Sequence, residues 1–176
     1  MTKKKIFKEL FWWVRCAIIS IIFAVVFNSF IIANAVVISG SMESTIMTDS
    51  RVIASRLAYL FDEPQRYDII LFRDPDGNSS IPFVKRIIGL PNETVEIIEG
   101  KVYIDNCETP LNDYFIRENA HGNFGPFEVP ENSYFVLGDN RNNSLDSKNW
   151  ENSFVIKNMI IGKLYASYFP SFKILD

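Results

Sequence analysis

A single histidine, His121, and two widely separated cysteines, Cys16 and Cys107, leave this sequence short of several chemistries. Zinc sites draw three or four ligands from Cys, His and carboxylate side chains at close spacing. No such set can be assembled here, so neither a metal nor a cofactor is expected. Cys16 falls inside an apolar run and Cys107 in the polar remainder. One would sit in lipid and the other outside it, which argues against a disulfide. Glycine-rich phosphate loops are missing, as are repeats and low-complexity tracts. His121 stands in His121-Gly122-Asn123-Phe124-Gly125-Pro126, a run of turn formers. A Ser-His-Asp base needs fixed geometry and an orienting carboxylate, so the lone histidine is a poor candidate. Basic charge is also scarce outside the amino terminus. Met1 to Arg15 takes five of the 18 basic residues and one of the 21 acidic ones; the remainder carries 13 against 20, a net of −7. That balance argues against nucleic acid as a partner.

What the sequence does have is one long apolar run. From Phe11 to Phe30 the only charge is Arg15, and the apolar character continues through Ile31-Ile32-Ala33 and Val36-Val37-Ile38. About 20 such residues cross a bilayer as a helix. Phe11, Trp12 and Trp13 occupy the place of an interfacial aromatic belt, and no Lys or Arg occurs between Cys16 and Ser50. The positive-inside bias then keeps the amino terminus in the cytoplasm and sends the rest outward. The expected organisation is a basic amino terminus over residues 1–15, a transmembrane helix over about 11–33, and an extracytoplasmic domain over 34–176. A basic start, an apolar core and Ala33-Asn34-Ala35 also spell a cleavable secretory signal, or a point of self-cleavage, with the cut after Ala35. The apolar run continues beyond that point, whereas a signal core ends before its cleavage site.

The outer domain reads as mainly β. Val52-Ile53-Ala54 and Asp68 to Phe72 are short apolar runs between turn residues. Val95 to Tyr103 folds back around Glu99-Gly100, a two-residue hairpin loop. Tyr134-Phe135-Val136-Leu137 and Met159 to Phe169 supply further strands, and eight prolines leave little room for long helices. Only Ser55 to Leu60 and Leu145 to Trp150 could hold a helical turn or two. An antiparallel sheet or partial barrel behind one membrane helix is the expected fold.

Chemistry concentrates where the apolar run ends, at Ser39-Gly40-Ser41-Met42-Glu43-Ser44-Thr45. A serine hydroxyl needs a neighbouring base to become a nucleophile. In Ile81-Pro82-Phe83-Val84-Lys85-Arg86-Ile87-Ile88 a strand would place Lys85 on one face with Ile81, Phe83 and Ile87. Burial on that apolar face would lower the lysine pKa, and a lysine tuned to about 7–8 can act as a general base. Periodicity leaves a second option open, in which Lys85 snorkels to water from an edge strand. Arg86, on the opposite face, cannot give up its proton.

Three blocks occur in order after the apolar run: Ser39-Gly40-Ser41-Met42; Phe83-Val84-Lys85-Arg86-Ile87-Ile88-Gly89-Leu90-Pro91; and Gly138-Asp139-Asn140-Arg141-Asn142-Asn143-Ser144-Leu145-Asp146-Ser147. With Arg66-Tyr67-Asp68-Ile69-Ile70-Leu71-Phe72, they resemble the bacterial type I (leader) signal peptidases over most of the chain beyond the anchor. The resemblance implies a membrane-bound Ser-Lys endopeptidase that cuts signal peptides from exported preproteins after small residues of the Ala-x-Ala kind. Its partners would be those signal peptides, the bilayer and the secretion translocon. It implies Ser41 as nucleophile and Lys85 as general base, with the Ser41 N–H and the Ser39 hydroxyl as oxyanion donors. Ser144 would hold the lysine amine, with Asp139, Arg141 and Asp146 fixing the loop. Val37, Ile38, Met42 and Phe83 are the expected pocket residues. Ser44 stands where a proline is usual, Tyr67 where a glycine is, and Lys148 where an arginine follows Asp-Ser. An anchored β-domain that binds extended peptides without cutting them is the alternative.

Overall fold

A computed structural model describes residues 3–175 and the side chains of residues 7–175. Met1 and Thr2 of the basic start lie outside the described residues, as do the side chains of Lys3, Lys4 and Lys5. Helix α1 spans Lys3–Phe30. At 1.5 Å per residue its 28 residues reach about 42 Å, more than the ~30 Å hydrocarbon core of a bilayer. Its segment Phe7–Phe30 contains an 18-residue window with a mean hydropathy of 2.3, none of it buried inside the protein. Such a helix leaves its apolar surface for lipid.

The apolar run does not end where the helix does. Ile31 still donates to the Phe27 carbonyl at 3.0 Å, and the next residues, Ile32–Val36, form strand β1. The helical conformation therefore stops short of the expected residue 33, because β1 pairs along its whole length with β2 (Arg51–Ser55), from Ile32 opposite Ser55 to Val36 opposite Arg51. Ala33-Asn34-Ala35 is locked into this ladder, with Ala33 buried.

The remaining strands are β3 (Ile69–Phe72), β4 (Phe83–Gly89), β5 (Thr94–Ile98), β6 (Lys101–Ile104), β7 (Phe124–Glu128), β8 (Ser133–Leu137), β9 (Val155–Ile156), β10 (Ile160–Phe169) and β11 (Lys173–Ile174). The main antiparallel sheet runs β1-β2-β10-β3-β4-β8-β9, with β11 also pairing β10. Register shifts in β10 and β4 mark bulges, which add twist and curl the sheet into the expected partial barrel. A second sheet of three strands runs β6-β5-β7.

The continuous apolar runs of β3 and β8 follow from burial on both faces. In β3, Ile69 and Leu71 pack with Met42, Val52 and Leu164, while Ile70 and Phe72 pack with Ile87, Tyr134 and Trp150. In β8, Tyr134 and Val136 join the latter group, and Phe135 and Leu137 meet Ile88, Val95 and Val102 beneath the small sheet. The hairpin between β5 and β6 turns at Glu99-Gly100, both at positive φ (49° and 79°), the geometry of a type I′ turn. Neither Ser55 to Leu60 nor Leu145 to Trp150 is helical: Ser55 ends β2 and Arg56 to Leu60 form a turn, as do Asp146 to Trp150. The run after His121 becomes strand β7, paired with β5.

Candidate active site

Ser41 and Lys85 line the same two clefts. Ser41 sits in a short 3-10 turn, Gly40–Met42, that follows β1, and its hydroxyl lies 3.2 Å from that of Ser39. Lys85 projects from the middle of β4, opposite Ile70 of β3. Its strand neighbours on that face, Phe83 and Ile87, belong to an aromatic and aliphatic cluster with Phe72 and Trp150. The face is apolar, as alternation predicts, and Lys85 is 5% exposed. Among the described residues, no hydrogen bond or ion pair reaches its ammonium nitrogen. Burial lowers its pKa from the ordinary 10.5 to about 8, against the raising influence of Asp146 and with a further lowering influence of Lys148.

Two clefts meet at this pair. One, of about 530 Å³, is lined by Ser39, Ser41, Phe83 and Lys85 together with Asn142, Asn143, Ser144 and Leu145. The other, of about 150 Å³, shares those first four residues and runs between Ala35 to Ile38 and Ser79 to Val84. Val37, Ile38 and Phe83 thus line the narrower cleft. Met42 lines neither: it is fully buried in the core with Ala33, Ile46 and Val52, because the short turn sends its side chain beneath the loop rather than into the opening.

The loop after β8 clamps the Ser41 turn. Asn140 donates its backbone N–H to the Ser41 carbonyl at 3.0 Å, and its side-chain amide to the Gly40 carbonyl at 3.0 Å. Gly138 packs so closely that a Cβ there would overlap both the Ser41 carbonyl oxygen and the Ser144 hydroxyl. That hydroxyl is buried and has no hydrogen-bond partner among the described residues, and it borders the cleft that holds Lys85. A buried polar atom left unpaired costs free energy.

Charges anchor the loop from below. Asp139 takes two hydrogen bonds from Arg86, Nε to Oδ1 at 2.9 Å and Nη2 to Oδ2 at 2.8 Å, and a third from the Thr45 hydroxyl at 2.5 Å. Both members of the ion pair are 1% exposed. Asp146 accepts the Gly138 N–H at 2.9 Å and pairs with Lys148 at 3.0 Å. Arg141 pairs with Asp113 at 2.8 Å. Sequence reasoning missed Arg86 as a structural partner, along with Asn140, Thr45 and Asp113. Arg86 and Asp139 each stood in one of the recognised blocks, so two opposite charges in separate blocks were the available signal.

The departures from the family pattern have local counterparts. Tyr67 occupies the left-handed region at φ 73°, where glycine is at ease, and packs its ring 5.7 Å from that of Phe115. Ser44, at φ 81°, holds a conformation closed to proline. Lys148 makes one contact with Asp146 where an arginine could make two. His121 is exposed and borders neither cleft at Ser41; its backbone N–H binds the Asn142 side chain at 3.1 Å.

Residues 10–169 match the family model described as signal peptidase, peptidase S26. Among similar curated proteins, a probable signal peptidase I-2 of Synechocystis is 33% identical over 160 residues, covering 89% of this chain and 72% of its relative. Signal peptidase I S of Bacillus subtilis is 34% identical over 181 residues, covering 97% of this chain and 93% of its own. A crystal structure of a signal peptidase I from Enterococcus faecalis, 34% identical, aligns over 58% of this chain and 97% of that one with a TM-score of 0.47. With a family model spanning most of its length and relatives matched nearly end to end, this chain belongs to the signal peptidase family, peptidase S26.

Proposed function

We propose that this protein is a signal peptidase I, a membrane-bound serine endopeptidase in which Ser41 attacks the scissile carbonyl and Lys85 takes its proton. The observation that carries the reading is the shared cleft wall: a serine and a desolvated, unpaired lysine border both openings. Proton transfer to a neutral amine makes the Ser41 oxygen a nucleophile, which forms an acyl-enzyme and expels the new amino terminus; water then hydrolyses the ester. Ser41 N–H and the Ser39 hydroxyl supply the oxyanion donors. The early N–H groups of a helical turn have no acceptor within it, which leaves the Ser41 N–H for the substrate. Ser144, without another partner, orients the Lys85 amine, and Asp139, Arg141 and Asp146 hold the loop that carries it.

The catalytic domain, which begins with β1 at Ile32, lies outside the cytoplasm, with the amino-terminal end of α1 at the cytoplasmic face. The substrate is the signal peptide of an exported preprotein. Val37, Ile38 and Phe83 line the narrower cleft, of about 150 Å³, an apolar surface on which the small side chains of an Ala-x-Ala end would lie. The deciding experiment incubates the detergent-solubilised protein with a preprotein and sequences the new amino terminus. Cutting immediately after a small-x-small step is expected. An intact preprotein, held tightly by the protein, would favour the peptide-binding alternative.

Two further outcomes follow. The rate on a peptide substrate should rise about tenfold per pH unit below pH 8 and level off above it, since the base must be neutral to act and its pKa lies at about 8. A kcat/KM profile flat from about pH 6 to 9 contradicts the lysine base. Gly138→Ala should reduce kcat by about 10²-fold with KM little changed, because its methyl must push either the Ser41 backbone or the Ser144 hydroxyl aside, and about 1 Å of misplacement suffices for that loss. Steady-state kinetics on a folded variant, verified by circular dichroism, provide the check.

A further inference from the structure

The small sheet meets the loop after β8 around Arg141. The Arg141 side chain is 4% exposed and pairs with Asp113 through Nη1 at 2.8 Å. Its Nε and Nη2 are buried and have no hydrogen-bond partner among the described residues. These two N–H groups form one edge of the planar guanidinium, the fork that grips an anion side-on. Arg86 shows the same fork in use, with its Nε and Nη2 on Asp139 at 2.9 and 2.8 Å. A buried donor without an acceptor is costly, and more so on a charged group. Arg141 carries two of them.

The surroundings identify what suits the fork. Arg141 lines a cavity of about 10 Å³ whose other walls are Ile97 of β5, Gly100 of the hairpin turn, Ala120, His121, Phe124 of β7 and Lys148. That is room for one small ion or solvent molecule, and it shuts out sulfate and phosphate. The Lys148 side chain is 9% exposed, and its Nζ lies 5.9 Å from the centre of the Phe124 ring. A second buried cation therefore borders the same space. Asp113 and Asp146, the carboxylates paired with these two cations, are not part of the wall. A water accepting both N–H groups would have two hydrogens of its own to place against a cation and apolar side chains; an anion has none. We propose that this cavity binds a small monovalent anion of the halide class, held by the Nε and Nη2 edge of Arg141 with Lys148 beside it. The site lies at a joint. Asn142 already ties the loop to the segment before β7, donating to the Asn119 carbonyl at 2.9 Å and accepting the His121 N–H at 3.1 Å. Arg141 and Lys148 flank Ser144 in the sequence, so the ion would brace the loop that carries that hydroxyl. This inference is independent of the roles given to Ser41 and Lys85.

The test uses the full chain in detergent, with sodium chloride replacing sodium gluconate at constant ionic strength; gluconate is too large for the cavity. The Tm of the parent should rise with the logarithm of chloride concentration above Kd, as for any ligand that binds only the folded state. Arg141→Lys keeps a cation opposite Asp113 but has no fork, and it should bind chloride about tenfold more weakly through the loss of one charge-assisted hydrogen bond. Ala120→Leu leaves Arg141 in place and directs bulk into the cavity, and it should abolish the chloride-dependent rise; it decides the matter if the lysine variant does not fold. Chloride magnetic resonance gives a direct measure: line broadening that depends on the protein and is competed away by bromide should shrink several-fold in both variants. A parent with no chloride-dependent rise overturns the proposal and leaves the cavity to a water. An equal rise in the parent and the variants also overturns it, since that marks a general effect of salt.

Discussion

Ser41→Ala, Lys85→Met and the double variant are expected to lose kcat/KM on a preprotein by the same factor, on the order of 10⁴ to 10⁶. A nucleophile and its base act as one unit, so removing either removes the step, and the second substitution has nothing left to subtract. Lys85→Arg should be as inactive as the methionine variant, because a guanidinium keeps its proton. The stability of Lys85→Met offers a separate readout. The lysine pKa is about 8 in the folded protein and 10.5 ordinarily, so the unfolded chain binds the proton more tightly. The cost to stability is then complete below pH 8 and fades as pH rises toward 10.5. At pH 7 the methionine variant should therefore be more stable than the parent by a few kcal/mol, and the gain should shrink above pH 8. Thermal unfolding in detergent measures it. Losses that multiply in the double variant, or a lysine variant with near-parental activity, would break the assignment of the pair.

Legibility of the fold tracked how each strand is buried. β3 and β8 are covered on both faces and so read as uninterrupted apolar runs, and the hairpin at Glu99-Gly100 carried its own turn chemistry. β1 was hidden because Ile32–Val36 continues the apolar run of α1; only its partner, Arg51–Ser55, decides that the helix must stop. β7 was hidden by the glycine and proline at positions 125 and 126, and β9 and β11 are two residues each, too short to show a period. That Ser41, Lys85 and Ser144 border one cleft could be anticipated because each lies in a compact block. Met42 could not, since a one-turn 3-10 segment has no period to tell which side chain faces the cleft. The links between blocks were also out of reach: Asp139 lies 53 residues from Arg86 and 94 from Thr45.

Those links lead to the second large effect. Asp139→Ala should destabilise the protein by about 3–5 kcal/mol, because it leaves the Arg86 guanidinium buried without its bidentate carboxylate. The Tyr67 carbonyl at 2.9 Å and the Phe115 ring at 4.2 Å remain as contacts of Arg86, and neither carries a full negative charge. Replacing both partners, as Arg86→Met with Asp139→Leu, should recover much of that stability, since apolar groups of similar volume have no charge to strand. Activity should not return with it. Asp139 lies between Gly138, which touches the Ser41 carbonyl, and Asn140, which binds it. The ion pair therefore sets the height of the loop against the Ser41 turn as well as holding the fold. A double variant that regains both stability and full kcat would show that packing alone positions the loop. One that folds stably yet stays slow would locate the purpose of the buried charges in the geometry of the cleft.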